Sequence, residues 1–505
     1  MNVEKKGHPK GLYVLFATEM WERFNYYGMR AVLVLFMTKA LMFDKAFASN
    51  LYGSYTGLVY LTPLVGGYMA DRFWGNRRSI IAGGLLMAIG EFILFFCGSY
   101  YQSAPQLSSL LFFSGLGFMI AGNGFFKPNI SSLVGQLYPK GDRRIDAAYT
   151  IFYMGINVGG AFGPLACGFF GDTGHPEDFK WAFLVGGIGM LLGVIVQILF
   201  HHKFVKDPNG EVLGLTPATS TPVSTKPVTM VLGLLGFSFL AIGLIYIDAN
   251  IFNYLFYLLI GSVIFIAIVI FSDKKLTAPE RSRIIVIFIV AFFVIFFWSA
   301  FEQAGASLSF FADEQTDRHL GTYEVPASFF QSLNSVFVVS FAPIFAWLWI
   351  KLGKYEPSSP TKMAWGLFLL ALGYLWIAFG VKNVQPGIKV SMVWLTGMYA
   401  LHTCGELCLS PIGLSMVNKL APAKFASLLM AVWFTANAFA NKFAGVLSSL
   451  YPDNKTTNFL GIYEMNNLYS FFMLFVFMAG IAALILFLLT KQLQKMMQLQ
   501  VLSEE

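Results

Sequence analysis

The chain has 505 residues, of which 34 are Lys or Arg and 27 are Asp or Glu, so charged residues make up only 12%. Soluble globular chains carry about 25%. With 56% hydrophobic residues, 53 phenylalanines and a mean hydropathy of +0.64, there is too little charge to coat several soluble domains. Disordered, collagen-like and disulfide-scaffold chains are excluded by the same numbers, and an all-α polytopic membrane protein is expected. The net charge of +7 and the pI near 9.0 fit basic loops on one side of a bilayer better than a nucleic-acid partner, and none is expected. Cys97, Cys167, Cys404 and Cys408 all lie in apolar stretches and read as small buried residues. The N-terminus carries Lys5, Lys6 and Lys10 before an apolar run too long for the core of a signal peptide.

Apolar runs of about 20 residues, the length that crosses a hydrocarbon core, recur along the sequence. They predict helices at 11–40, 50–71, 78–99, 106–137, 145–171, 181–201, 227–247, 251–272, 284–312, 326–350, 363–381, 389–418, 425–449 and 465–490. Fourteen spans put both termini on one side. With that side cytoplasmic, inner connections and tails hold 23 basic residues and outer connections six, Lys45, Lys180, Arg318, Lys382, Lys389 and Lys455. The inner set includes Arg72, Arg77, Arg78, Lys140, Arg143, Arg144, Lys274, Lys275, Arg281 and Arg283. Positive charge favours the inner face, so cytoplasmic termini follow.

The stretch 202–226, with DPNG and TPATSTPVSTKP, reads as a flexible linker. The chain then divides into a six-helix bundle at 1–202, a linker at 203–226, two extra peripheral helices at 227–280, a second six-helix bundle at 281–490 and a tail at 491–505, a 6 + 2 + 6 plan. Pro128, Ser132, Val134, Leu137 and Pro139 reappear 283 residues later as Pro411, Ser415, Val417, Leu420 and Pro422. Related halves with a site where the repeats meet are a common plan of secondary transporters.

Ionisable groups inside a span are costly, by about 2.5–3.5 kcal/mol at mid-membrane, and so mark function. Glu19, Glu22, Arg23, Tyr26, Tyr27 and Arg30 fall on one face of the first helix. A salt-bridge ladder that only ties helices together is the simpler account, but it needs neither paired tyrosines nor two arginines. Lys127, Glu302 and Glu406 add single charges on the fourth, seventh and tenth helices when the extra pair is left out of the count. Carboxylates that can trade cationic partners can take up and release protons, the requirement for proton coupling. Trp298 and Trp433 could wall pockets, although most aromatics in so aromatic a chain pack. His402 is read as the one helical histidine, too isolated to suggest a metal set, and no nucleophile–base constellation or phosphate loop points to an enzyme.

The segment Glu19-x-x-Glu22-Arg23-Phe24-x-Tyr26-Tyr27-Gly28 resembles the E-x-x-E-R-F-x-Y-Y-G signature of the proton-dependent oligopeptide transporter family without a departure. Phe152-Tyr153-x-x-Ile156-Asn157-x-Gly159 resembles its second signature, with Gly160-Ala161 as a mild departure. Gly66-Gly67…Ala70-Asp71-Arg72…Gly75…Arg77-Arg78 resembles the loop motif of the wider major facilitator superfamily, and Lys127-Pro128-Asn129 and Gly405-Glu406-Leu407…Ser410-Pro411 also look like the family's.

The resemblance implies a major facilitator fold of the bacterial type, in the plasma (inner) membrane, importing di- and tripeptides with protons as the coupling ion and no other cofactor, as a monomer. It implies that Arg23 and Lys127 meet the peptide carboxylate, that Glu406 meets the amino group with Asn157 and Asn334, and that Glu19 and Glu22 belong to the proton-coupling cluster. Arg30 and Glu302 would form a gate pair, and Tyr26, Tyr27, Tyr60, Trp298 and Trp433 would shape side-chain pockets. Asn437 stands where relatives often have serine, and the coupling histidine of animal relatives is absent, leaving coupling to carboxylates. Nitrate or another small anion is the alternative cargo, against which Glu406 and the lack of a histidine near Glu302 both count. An intramembrane enzyme or a channel is the alternative class.

Overall fold

A computed structural model describes residues 7–139, 141–142, 144–217, 226–250, 254–384, 387–453 and 455–498. Lys5, Lys6, Lys140, Arg143 and most of the TPATSTPVSTKP stretch, named above, lie outside the described residues. The helices are α1 (Lys10–Lys39), α2 (Lys45–Leu61), α3 (Pro63–Met69), α4 (Asn76–Tyr100), α5 (Pro105–Gln136), α6 (Ile145–Gly171), α7 (Phe179–Phe204) and α8 (Pro227–Asn250). They continue with α9 (Tyr254–Phe271), α10 (Ala278–Phe301), α11 (Ser307–Glu314), α12 (Ser332–Leu352), α13 (Ser359–Val381), α14 (Met392–Leu420), α15 (Ala426–Ser448) and α16 (Leu468–Gln498). Short strands occur only in connections among the described residues, for example the hairpin Thr457–Phe459 with Tyr463–Met465.

Among the described residues ten helices are long and apolar enough to cross a membrane. The expected spans at 11–40, 50–71, 389–418 and 425–449 are helical but fall outside that set. α1 carries Glu19, Glu22, Arg23 and Arg30, α14 carries Glu406, α15 carries Asn437 and Lys442, and α2 is only 17 residues long. The polar groups that lower the hydropathy of these helices are mostly the candidate functional ones.

Two expected spans are broken. The run 50–71 divides at Thr62, because Pro63 has no N–H to continue the ladder and instead opens α3 at its first position. The run 284–312 divides at the 3₁₀ turn Glu302–Gly305, which separates α10 from α11.

The chain forms two compact units, one of residues through Met42 with Leu61–Ile247, the other of Phe43–Tyr60 with the residues from Asp248 on. In the first, α1 packs on α6 and α7, and α4 packs on α5 and α7. Between transmembrane helices, lipid supplies no hydrophobic drive, and close backbone approach through small residues replaces it. Gly159 of α6 shows this: a Cβ there would lie 2.2 Å from the Met20 carbonyl oxygen and 2.8 Å from the Arg23 Cβ. That contact fixes how α1 is seated. Trp74 stacks on Phe125 with ring centroids 5.2 Å apart, and Phe237 of α8 meets the same Phe125 edge-on.

The first part of the linker is not a free coil. Leu213 N donates to Val205 O, Arg77 N donates to Gly214 O at 2.9 Å, and a ring nitrogen of His201 pairs with Leu213 O at 2.9 Å. The carbonyl of Gly214 thus satisfies an amide in the first turn of α4, which has no intrahelical partner. Gly75, at φ +79° and with the Leu215 carbonyl oxygen 2.4 Å from its Cβ position, admits no side chain. His201 also corrects the reading of His402 as the one helical histidine, since it lies in α7 and its other ring nitrogen pairs with Gln197.

In the second unit α10 packs on α15 and α16, α13 packs on α14 and α16, and α9 packs on α15.

Candidate functional site

The first unit brings together the polar face of α1. Glu19, Glu22, Arg23, Tyr26 and Arg30 are all buried and Tyr27 is half-buried. Arg23 Nε donates to Glu19 Oε1 at 2.8 Å, and the same Nε lies 2.7 Å from Glu22 Oε2. One N–H can be directed at only one of these acceptors. The hydrogen bond goes to Glu19, while Glu22 is held by charge. Glu22 accepts instead from Asn123 Nδ2 of α5 at 3.0 Å, and Lys127, one turn further along α5, lies close enough to act on Glu22 electrostatically. The guanidinium of Arg23 sits 5.7 Å from the ring centre of Tyr26, and that of Arg30 sits 5.5 Å from Tyr27. Cation–π contact of this kind is strengthened by desolvation. Asn157 is buried on α6, where its Nδ2 donates to the Tyr153 carbonyl of its own helix at 3.0 Å.

In the second unit Asn334 of α12 donates to Glu406 Oε2 of α14 at 2.8 Å and to Thr403 Oγ1 at 3.1 Å. Glu406 and Glu302 are both buried and near enough to feel each other's charge. Trp298, one turn before Glu302, meets Phe301 edge-on at 5.2 Å. Trp433 of α15 is buried with its ring against Gly413 of α14, and Asn437 donates back to the Trp433 carbonyl at 2.8 Å. Tyr60 is half-buried near the end of α2.

Several buried groups escaped the sequence reading. Asn123 lies four residues before Lys127, so helical spacing alone could have flagged it. Glu91 of α4 is fully buried and accepts from Asn25 Nδ2 of α1 at 2.8 Å. The third is an ion pair in the second unit. Lys442 Nζ donates to Asp248 Oδ2 at 2.7 Å and to Ser54 Oγ at 2.8 Å, Ser54 donates to the same Asp248 oxygen, and Asp248 Oδ1 accepts from Leu255 N at 2.8 Å.

Both units therefore bury ionisable side chains on helices, with polar partners from neighbouring helices, a pattern of solute pathways and proton relays. The model of the POT family matches residues 77–467. The chain belongs to the POT family.

Among the similar proteins, the chain is 37% identical to the uncharacterized transporter YclF of Bacillus subtilis (strain 168), with 90% of each chain covered. It is 36% identical to the peptide transporter YePEPT of Yersinia enterocolitica subsp. palearctica serotype O:3 (strain YE-P4), over 87% of this chain and 88% of that one. A crystal structure of a POT family transporter in complex with 5-aminolevulinic acid superposes with a TM-score of 0.82 at 30% identity, covering 97% of this chain and 98% of the other. This POT-family chain is thus a transporter, not an enzyme, and a multi-pass protein of the bacterial inner membrane.

Proposed function

We propose that this POT-family protein is a proton-coupled symporter that imports di- and tripeptides by alternating access. It spans the membrane fourteen times in a 6 + 2 + 6 plan, as bundles at 1–202 and 281–490 joined by the linker and the extra pair, with both termini cytoplasmic. It acts as a monomer with protons as the only coupling ion. Arg23 and Lys127 take the peptide carboxylate, and Glu406 takes the amino group with Asn157 and Asn334. Tyr26, Tyr27, Tyr60, Trp298, Trp433 and Asn437 shape the side-chain pockets. Arg30 and Glu302 act as a gate pair, and with Glu19, Glu22, Arg23 and Lys127 they complete the proton-coupling set.

The observation that carries this reading is the sharing of Arg23 Nε between Glu19 at 2.8 Å and Glu22 at 2.7 Å. A guanidinium held by two carboxylates can give one of them up to an arriving carboxylate. The displaced negative charge is costly in a low-dielectric surrounding, and a proton offsets it. Substrate and proton then bind as a unit. The names of relatives support the cargo, and the pairing of a cationic cluster with a carboxylate, Glu406, suits a zwitterion better than nitrate.

Proteoliposomes containing a pH-sensitive dye test the reading. Dipeptide added outside is expected to acidify the lumen, whereas peptide exchange without proton movement would refute coupling. Glu406→Ala is expected to weaken binding of peptides with a free amino terminus by about 30-fold or more, since loss of one partner of a buried charge pair costs about 2–5 kcal/mol. N-acetylated peptides, which lack the cationic amino group, are expected to change by less than about threefold. Equal losses for both classes would remove Glu406 from amino-group recognition.

A further inference from the structure

In the second unit α9, α10 and α15 enclose an apolar cavity of about 280 Å³. Ile260 and Ile264 of α9, Phe288 and Phe292 of α10, and Val432 and Phe439 of α15 line it. It is not sealed, for Ile260, Ile264 and Phe292 are exposed, so hydrocarbon has access from the side. The volume is too small for a peptide-sized pocket, which needs about 300–1,000 Å³. It equals the space of roughly nine water molecules at about 30 Å³ each, which suits a run of methylene groups.

The cavity has a charged end. The connection between α9 and α10 carries Asp273, Lys274 and Lys275, and the first turn of α10 adds Glu280 and Arg281, with Arg283 close behind. Lys424, just before α15, pairs with Asp273, which brings the start of α15 to the same end as this connection. Both acids are already engaged, Asp273 by Lys424 and Glu280 in a capping box with Thr277. Lys274, Lys275 and Arg281 are exposed and make no ion pair among the described residues. Along α10, Phe288 lies about 10 Å and Ile295 about 21 Å from Arg281 at 1.5 Å per residue. The cavity thus begins below the charged rim and reaches about the depth of one leaflet of a core ≈ 30 Å thick.

We infer that α9, α10 and α15 form a binding site for one anionic glycerophospholipid, its phosphate on Lys274, Lys275 and Arg281 and one acyl chain in the cavity. Basic clusters at the ends of packed transmembrane helices are suited to such head groups. The two halves of the ligand explain the two halves of the site: the rim selects charge, and the groove selects hydrocarbon. The inference needs only the membrane setting of the chain, not its cargo.

Native mass spectrometry of the full chain in detergent, titrated with dioleoyl phosphatidylglycerol or dioleoyl phosphatidylcholine, tests it. The first phosphatidylglycerol is expected to bind about tenfold more tightly than phosphatidylcholine. The combined Lys274→Gln, Lys275→Gln and Arg281→Gln variant is expected to lose that preference. Ile264→Trp, which fills the groove mouth from an exposed position, is expected to weaken phosphatidylglycerol about tenfold, with Ile260→Trp as the second variant should the first not fold. Glycerol 3-phosphate at millimolar concentration should not compete. Equal affinity for the two lipids, a preference kept by the triple variant, unchanged binding by the groove variants, or displacement by glycerol 3-phosphate would each overturn the site. Peptide transport can succeed or fail without touching any of these readings.

Discussion

Glu22→Gln is expected to abolish proton-driven accumulation of dipeptide while leaving counterflow exchange within about threefold of the wild type. The carboxyl of Glu22 is completely buried between the Asn123 amide and the Arg23 guanidinium. Glutamine has the same shape and keeps one oxygen, which can face Arg23. Its new amide needs an acceptor, and Asn123 Oδ1, buried without a hydrogen-bond partner, can supply one by turning over. Folding and substrate contact are therefore retained, and only the capacity to gain and lose a proton is removed. The measurement is a pair of proteoliposome assays on the same preparation: uptake against an imposed inward proton gradient, and exchange of labelled for unlabelled dipeptide without one. Gradient-driven accumulation equal to the wild type would remove Glu22 from coupling. Loss of both activities would instead make it a binding or folding residue. The expectation follows from charge balance. Glu19 and Glu22 face Arg23 and Lys127, so the cluster can be neutral before the peptide carboxylate arrives and carries one excess negative charge afterwards.

Some of this was readable in the sequence and some was not, for a physical reason. The stripe from Glu19 to Arg30 follows helical spacing within one segment, and α1 runs unbroken through it from Lys10 to Lys39. Local periodicity therefore predicted which side chains share a face. It could not predict which partner each takes. Arg23 finds its carboxylates four and one residues away in the motif it belongs to, where sequence spacing is informative. Glu22 finds Asn123 from α5, and Glu91 of α4 finds Asn25, pairings 101 and 66 residues apart that are set by how helices cross. The breaks at Thr62 and Glu302 both had local cues of different strength. Pro63 announced the first, whereas the 3₁₀ turn at Glu302–Gly305 was marked only by Glu302, Gln303 and Gly305, polar and small residues set between two apolar runs. The connection after α7 misled for the opposite reason. Its polar composition resembles a free linker, but its value to the fold lies in backbone carbonyls that no side-chain pattern reveals.

A buried ion pair between residues 194 apart in sequence carries the second strong expectation. Lys442→Met is expected to destabilise the protein by about 3–5 kcal/mol, the cost of leaving a buried carboxylate without its cation. Asp248 and Lys442 are almost wholly buried, and the aspartate is fixed by three donors, Lys442, Ser54 and Leu255 N. These come from α15, α2 and the start of α9, so one carboxylate ties together three segments of the second unit. Neutralising both partners should cost much less than neutralising one. The double variant Lys442→Met with Asp248→Asn keeps one oxygen for Leu255 N and turns its new amide towards Ser54 Oγ, which can accept while donating to the Asn50 carbonyl. The uncompensated charge is removed, and the variant is expected to recover at least half of the lost stability. Unfolding by denaturing detergent, followed by tryptophan fluorescence for the wild type, both single variants and the double variant, closes the cycle. A single Lys442→Met variant as stable as the wild type would show that Asp248 does not depend on that lysine. Additive losses in the double variant would show that the two groups act separately. A double variant that is stable but transports poorly would move the pair from scaffold to mechanism, because the ion pair would then be needed for movement and not for folding.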